Sequence, residues 1–493
     1  MRRKMTRYPF WQANKIAFVV VLVLVVAAAV TGAALLVNRE PVHLTDGEHV
    51  YSENLRAVQE LIHAENQRVR ADGADWVSVV FADVMDPRPG DRINADAVRH
   101  DLQGAYIAQQ AWNAPANRAP KVRLLLADLG SQMSRWRAAA AQIRAGVDGD
   151  ERIVAVAGLA VSTQDVREFV DEIAKSRVAI VAGAITGDKM TVALGGGPVP
   201  GMVRVAPTNS DMAVATLRYL DRAPGLPAAP RVLEVRDQNR ADDYAVSLGE
   251  AFSKAITAQP GRRYTVLRPQ MVFNSSLDEA GTILAAKAEK VCELRADVVH
   301  FAGRGSDMKG FLPGLASRSC TGRHLLVLGP PDIARSAHSP LWASGSEANM
   351  TVLVPGLTSP SMWREDRGAA SGETVSRFGS CPTCYATLFP DESMADSDAA
   401  LSHDAVWTAI LGIRDVVAGQ ASTGAGSSRP RAAAVAQALN QLRVDGVSGW
   451  ICTFDADHNP VNKAVPMLKV EHTGAIRYQA LSSPSGDPII GGC

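Results

Sequence analysis

Apolar runs of strand length alternate with amphipathic runs over most of this chain. Residues 76–84, 122–128, 153–159 and 178–185 are apolar nearly throughout. Between them, 95–112, 133–143 and 164–174 carry apolar residues at helical spacing. Strands that are apolar on every position, separated by helices, predict a parallel sheet buried on both faces. A second series follows. Strands are predicted at 202–206, 232–236, 264–272, 298–302, 325–328 and 349–355, with helices at 211–220, 244–256, 277–294 and 308–315. The alternation stops at 359–396, an irregular stretch rich in Gly and Pro. Helices are expected again at 399–417 and 432–442, then β pieces at 450–454 and 464–470, joined by a turn at 455–460.

Two βα series followed by a returning C-terminal segment predict an α/β fold of two Rossmann-like lobes with a cleft between them. The expected division is 76–205 plus 356–454 for the first lobe and 206–355 plus 455–493 for the second. Three chain crossings, near Val205, Leu353 and Phe454, would form the hinge. In doubly wound sheets ligands sit outside the carboxyl ends of the strands, where helix N-termini present free N–H groups. Residues 38–75 read as a juxtamembrane helical segment, with Leu55, Val58, Leu61 and Ile62 on one face.

The N-terminus changes the compartment. Residues 16–37 contain no charge and are long enough to cross a hydrocarbon core of about 30 Å. Arg2, Arg3, Lys4, Arg7 and Lys15 precede them. This places the tail 1–15 in the cytoplasm and the body outside, behind a single transmembrane helix. A cleaved signal peptide is the competing reading. Its apolar region is ordinarily shorter, about 7–15 residues.

Composition narrows the classes. Acidic and basic residues balance at 51 each, so no basic field points to nucleic acid. Six cysteines in an oxidising compartment permit disulfides. Cys292 and Cys320 end successive helices around one strand, and parallel topology brings those ends together. They are expected to pair, as are Cys381 and Cys384 in the irregular stretch. Cys452 and Cys493 remain, and pair if the tail folds back. The run from Asp455 to Asn459 starts like a calcium loop but lacks the glycine at its sixth position, where Pro460 stands, and the glutamate at its twelfth. A turn is the better reading. The ten histidines do not cluster at ligand spacing, and neither a nucleophile elbow nor a zinc-protease motif occurs. No metal, cofactor or enzymatic activity is expected.

Four stretches carry a resemblance. They are 156–164 (VAGLAVSTQ), 178–186 (VAIVAGAIT), Arg236-Asp237-Gln238 through 243–249 (DYAVSLG), and 449–457 (GWICTFDAD) with Pro460. In this order and spacing they resemble the type 1 periplasmic-binding fold, in particular the leucine/isoleucine/valine-binding receptors of ABC importers, over about residues 76–470. The resemblance implies that 160–163 and 184–186 line the first lobe. Tyr244, Arg304 and the Pro331-Asp332 turn would line the second. The chain departs from that pattern where Ala160 replaces the usual serine and Arg304 the usual aromatic, which leaves an amino-acid ligand open.

The ligand-binding candidates are therefore Ser162, Thr163, Ala184, Thr186, Tyr244, Arg304 and Asp332. Each has a plainer reading beside it. Ser162 and Thr163 precede a helix and fit an N-cap. Thr186 ends a strand, and Tyr244 fits half-buried packing. The Arg304 fork suits a carboxylate or phosphate of a ligand, or an ion pair with Asp307 or Asp332. Thr163 and Thr186 are expected to face Tyr244 and Arg304 across the cleft. The implied function is a membrane-anchored extracytoplasmic solute-binding protein with a small-molecule solute and an ABC permease as partners. The alternative is a ligand-sensing or structural ectodomain of the same fold.

Overall fold

The computed structural model describes residues 43–114, 120–259, 263–336, 348–422, 429–471 and 473–493. The expected cytoplasmic tail and membrane span lie outside these residues. Among the described residues no helix is long and apolar enough to cross a membrane.

Two α/β sheets organise the chain. The first holds β1 (Leu44–Thr45), β2 (Trp76–Asp83), β3 (Lys121–Asp128), β4 (Ile153–Gly158), β5 (Ala179–Ala182) and β6 (Met202–Arg204). Their spatial order is β1-β3-β2-β4-β5-β6, parallel except for β1. The second holds β7 (Arg231–Asp237), β8 (Thr265–Val266), β9 (Met271–Phe273), β10 (Val298–Ala302), β11 (Leu325–Leu328) and β12 (Met350–Pro355). After the hairpin β13 (Val444–Gly446) and β14 (Gly449–Ile451), the chain returns as β15 (Val465–Val470) and β16 (Ile476–Ser482). These two extend the second sheet antiparallel, giving β16-β15-β12-β11-β10-β7-β8, with β9 also on β7.

The apolar runs become strands because both faces are covered. Val299, Phe301, Val327 and Val352 of the second sheet face one core, while Val298, Leu326, Leu328 and Leu353 face the other. The first sheet is covered partly by residues from far along the chain. Helix Asp398–Ser422 is buried on every side from Asp398 to Ile413, in keeping with its lack of a polar face. It lies against helix Ala95–Trp112 at Gly104, where a Cβ would stand 1.9 Å from the Ala399 carbonyl oxygen. No larger residue fits that crossing.

Several elements differ from expectation. Residues 43–52 are not helical, and Glu53–Leu55 form only a 3₁₀ turn. Thr45 Oγ1 accepts the Gly47 and His49 N–H groups in a turn behind β1, and the helix begins only at Arg56. The run at 264–272 divides into β8 and β9 around Pro269, which has no N–H for the ladder. The expected helix 277–294 breaks into Ala280–Lys287 and Lys290–Glu293. The irregular stretch contains short helices, Pro360–Glu365, Gly372–Ser376 and Tyr385–Leu388. It is tied down by His100, whose ring nitrogens lie 2.9 Å from Glu392 and 2.5 Å from Asp396. The turn at 455–460 is held by Asp455, whose Oδ1 accepts the N–H groups of Asp457 and Asn459.

Three disulfides close the described chain: Cys292–Cys320, Cys381–Cys384 and Cys452–Cys493. The first spans 28 residues and joins the ends of two helices flanking β10. In the chain-entropy picture a loop of this length contributes about 3–4 kcal/mol. Replacing both Cys292 and Cys320 by Ser should lower the urea unfolding free energy by that order under oxidising conditions. An unchanged free energy would show that the bridge does not restrain the unfolded chain.

Candidate functional site

The strand order creates one switch point in each sheet. The chain leaves β2 for β3 on one side and returns to β4 on the other, so the loops after β2 and β4 diverge. The same occurs at β7 and β10. Crevices open where neighbouring loops diverge at strand carboxyl ends. A cavity of about 540 Å³ lies there, with walls from both sheets. Asp83 ends β2 and Val84 follows it, Leu159 to Val161 follow β4, Asn239, Ala241 and Asp242 follow β7, and Ser275 and Ser276 follow β9. The turn after β4 depends on Gly158, which has φ +102° and whose Cβ would meet the Ala82 carbonyl oxygen at 2.7 Å.

Six of the seven predicted ligand residues share a second, much smaller cavity. Ser162, Ala184, Thr186, Tyr244, Arg304 and Asp332 line about 20 Å³, room for a single water. Thr163 is not among them. It caps helix Gln164–Ala174, its Oγ1 accepting the Val166 N–H at 3.4 Å, and it faces the larger cavity.

The small cavity is narrow because its polar groups satisfy one another. Ser162 Oγ accepts the N–H groups of Thr186 and Gly187, each at 3.1 Å. The Ser162 carbonyl accepts the Tyr244 N–H and Arg304 Nη2, both at 3.3 Å, across the gap between the sheets. Tyr244 donates its hydroxyl to Asp332 Oδ1 at 3.0 Å, and Gly305 N–H reaches the same oxygen at 3.1 Å. Only Thr186 Oγ1, buried at 1% exposure, has no partner in this group.

Arg304 pairs with neither expected acid. Its Nε and Nη2 donate to the two oxygens of Asp242 at 2.9 and 2.8 Å, and its guanidinium lies 4.2 Å from the Tyr244 ring centroid. Asp307 receives only the Arg304 backbone N–H. The fork expected to take an anionic ligand is thus held by the chain's own carboxylate. Burial alone would push the Arg304 pKa down, but Asp242 outweighs it and holds the guanidinium charged. Burial likewise works against the Asp242 carboxylate, and Arg304 keeps it below the usual range. Sequence reading did not single out Asp242, which also caps a helix: its Oδ1 accepts the Ala245 N–H at the start of helix Asp243–Ala258.

A second arginine crosses beside it and had no sequence signal. Arg335, in the turn Pro331–Ser336 after β11, donates Nε and Nη2 to Asp398 at 2.9 and 2.7 Å. Asp398 opens the long buried helix that covers the first sheet. Asp83 and Asp101 stand close by, and both are almost fully buried. Burial pushes all three carboxyls up, Asp83 to about 7 and Asp398 to about 6, while Arg335 pulls Asp83 and Asp398 back down.

The consequence is a pH-dependent dependence on Arg335. A buried carboxyl with a raised pKa binds its proton more tightly folded than unfolded, so its penalty fades as pH falls through 7 toward 4. Arg335→Ala strips the cation from an ionised buried group and should cost about 3–5 kcal/mol at pH 8. At pH 5 the carboxyls are protonated and the loss should be clearly smaller. Denaturant titrations at both pH values measure it, and equal losses would show that Arg335 does not compensate these acids.

No protein-family model matches the sequence, and no curated protein does. Solved structures do resemble the fold. An ABC transporter substrate-binding protein from Desulfitobacterium hafniense superposes with a TM-score of 0.58 at 17% identity, covering 82% of this chain and 99% of that one. A structure of such a protein from the same organism in complex with leucine gives a TM-score of 0.55 at 17% identity, covering 82% and 99%. A substrate-binding protein of an Aeropyrum pernix ABC transporter gives 0.58 at 15% identity, covering 83% and 96%. The architecture of this chain is therefore the type 1 periplasmic-binding fold, shared with the substrate-binding proteins of ABC transporters.

Proposed function

We propose that this chain is an extracytoplasmic solute-binding protein for ABC-type import, held at the membrane by residues 16–37. The observation that carries this reading is the cavity of about 540 Å³ at the switch points of both sheets. Its volume falls within the range of small-molecule sites, about 300–1,000 Å³. The likeness to substrate-binding proteins supports the same role, as do three disulfides, which suit an oxidising compartment. On this reading residues 76–205 with 356–454 close on 206–355 with 455–493, about crossings near Val205, Leu353 and Phe454.

The solute sits mainly in the larger cavity, with Thr163 at its wall. Ser162, Ala184, Thr186, Tyr244, Arg304 and Asp332 flank it and set how the two halves meet. The Arg335–Asp398 ion pair and the Arg304 bond to the Ser162 carbonyl, which join the halves, favour a second reading, a ligand-sensing or structural ectodomain without transport. A solute screen separates the two.

Binding stabilises the folded state by RT ln(1 + [L]/Kd), so a solute at 100 times its Kd contributes about 2.7 kcal/mol. A thermal-shift screen of amino acids, amides, amines, sugars and nucleosides should find at least one such solute. Ala160 borders both cavities and is 7% exposed. Ala160→Trp should fill the space and weaken that solute at least tenfold. A screen without any stabilising solute would favour the structural reading.

The membrane arrangement has its own test. Protease added to intact spheroplasts should digest the body from about residue 43 onward. Protection of the body would place it on the cytoplasmic side.

A further inference from the structure

The last passage of the chain between the halves is doubled by a covalent bond. Its first side is the hairpin β13–β14, whose Val444, Val447 and Ile451 pack in the core of the first sheet. Asp404, in the long helix over that sheet, accepts the Val447 and Ser448 N–H groups at 2.9 and 2.8 Å and fixes the hairpin turn. From there the chain passes through the turn 455–460 and residues 461–464 to β15 in the second sheet. Lys463, fully buried in this passage, donates Nζ to the Gly449 carbonyl at 3.2 Å.

The C-terminal tail returns to the same hairpin from the second half. Beyond β16 it is anchored on the helix Asn209–Arg222, where Ser482 Oγ donates to the Ala215 carbonyl and Arg218 Nε to the Pro484 carbonyl. That helix packs in a core of the second sheet. The Gly368 carbonyl then accepts the Gly491 N–H from the tail and the Trp450 Nε1–H from β14, both at 2.8 Å. Cys452, directly after β14, is bonded to Cys493 in the tail. This bond therefore joins a residue of the first half to one anchored on the second. Cys292–Cys320 instead lies wholly within the second half, and Cys381–Cys384 spans 3 residues. Hinge motion is absorbed by φ and ψ changes at a few residues of the crossing chain. A second connection beside the crossing removes part of that freedom. Cys493 is exposed and Cys452 half-buried, so an attacking thiolate has access to the Cys493 sulfur.

We propose that Cys452–Cys493 is a redox-sensitive tether at the hinge, which limits how far the halves part and is released by a dithiol reductant. In release, one thiolate of the dithiol attacks Cys493 Sγ, the bond to Cys452 breaks, and Cys452 leaves as a thiolate and takes up a proton. The second thiolate of the reductant then attacks its own sulfur in the mixed disulfide. Cys493 leaves and is protonated, and the reductant ends as a disulfide, having given an electron pair to the cystine.

This proposal rests on the reading of two halves that move about the crossings, and its test keeps the two apart. Fluorophores on p-acetylphenylalanine in place of Asp165 and Asp278, exposed residues on the two halves at the rim of the larger cavity, report their separation without touching the cysteines. A reference pair at Asp165 and Asp150, both in the first half, gives the width of a rigid body. Single-molecule energy transfer on the full-length chain should show a cross-cleft distribution about twofold wider in Cys452→Ser/Cys493→Ser than in the unaltered chain. Dithiothreitol should widen the unaltered chain to the same extent and leave that variant unchanged. Cys292→Ser/Cys320→Ser should keep the original width. Equal widening in Cys292→Ser/Cys320→Ser would mark general loosening and overturn the tether. A cross-cleft distribution broader than the reference, yet unchanged by the variant and by dithiothreitol, would overturn the tether and leave the hinge standing. A distribution as narrow as the reference in every form would overturn both.

Discussion

Two arginines of the second half of the molecule end on acids or carbonyls that fix how the halves meet. Arg304 lies on Tyr244, grips Asp242 and donates to the Ser162 carbonyl of the first half. Arg335 grips Asp398 at the head of the helix that covers the first sheet. Such pairs add little net stability, because removing two charges from water offsets most of their attraction. Their effect lies in the asymmetry. A misplaced partner leaves a buried charge uncompensated, so the contact tolerates one geometry. The guanidinium forks make that geometry planar and bidentate. Everything at the cleft is arranged around these two forks, including the smallness of the inner cavity.

The sheets explain why a second, larger space survives next to that contact. Loops at the switch points leave in opposite directions, so side chains there have no neighbour to interlock with. β2 and β4 diverge beyond Asp83 and Gly158, and β7 and β10 diverge beyond Asp237 and Ala302. The two gaps face each other and merge. The loops after β5 and β11 have neighbours on both sides, and there the walls touch. Loops after β4, β7 and β10 also supply Ser162, Tyr244 and Arg304 to the small cavity, so the difference between about 540 and about 20 Å³ reflects strand order together with the bonds those side chains make.

The fold was legible because buried parallel strands read as unbroken apolar runs. Residues 298–302 and 325–328 needed nothing beyond that pattern. The pairing of Cys292 with Cys320 followed from the handedness of the βαβ unit around β10. Short or edge elements were not legible. β1 is two residues long, and β16 lies at a sheet edge with exposed positions that blur its pattern. At the site, position after a strand was legible and partnership was not. Ser162, Thr186, Tyr244, Arg304 and Asp332 were placed in one neighbourhood by the resemblance to the periplasmic-binding fold, in keeping with their positions after strands. The partners of Arg304 and Arg335 lie 62 and 63 residues away in sequence, and no local pattern encodes that distance. Asp83 escaped notice because an acid closing an apolar strand looks like an ordinary boundary residue, and only its pairing with the buried Asp101 carboxyl, 18 residues away, sets it apart.

The same contacts bear on how a solute would act in the cleft. A ligand shifts a conformational equilibrium only by its differential affinity for the two states. In this chain the Arg335–Asp398 pair and the Arg304 bond to the Ser162 carbonyl join the halves without any ligand, so a solute in the larger cavity meets walls already in contact beside it. Little of its binding energy is then needed to bring the halves together, and the apparent affinity stays near the intrinsic one. Release works against the same pairs. Opening withdraws Arg335 from Asp398 and leaves Asp83, Asp101 and Asp398 without their nearest cation.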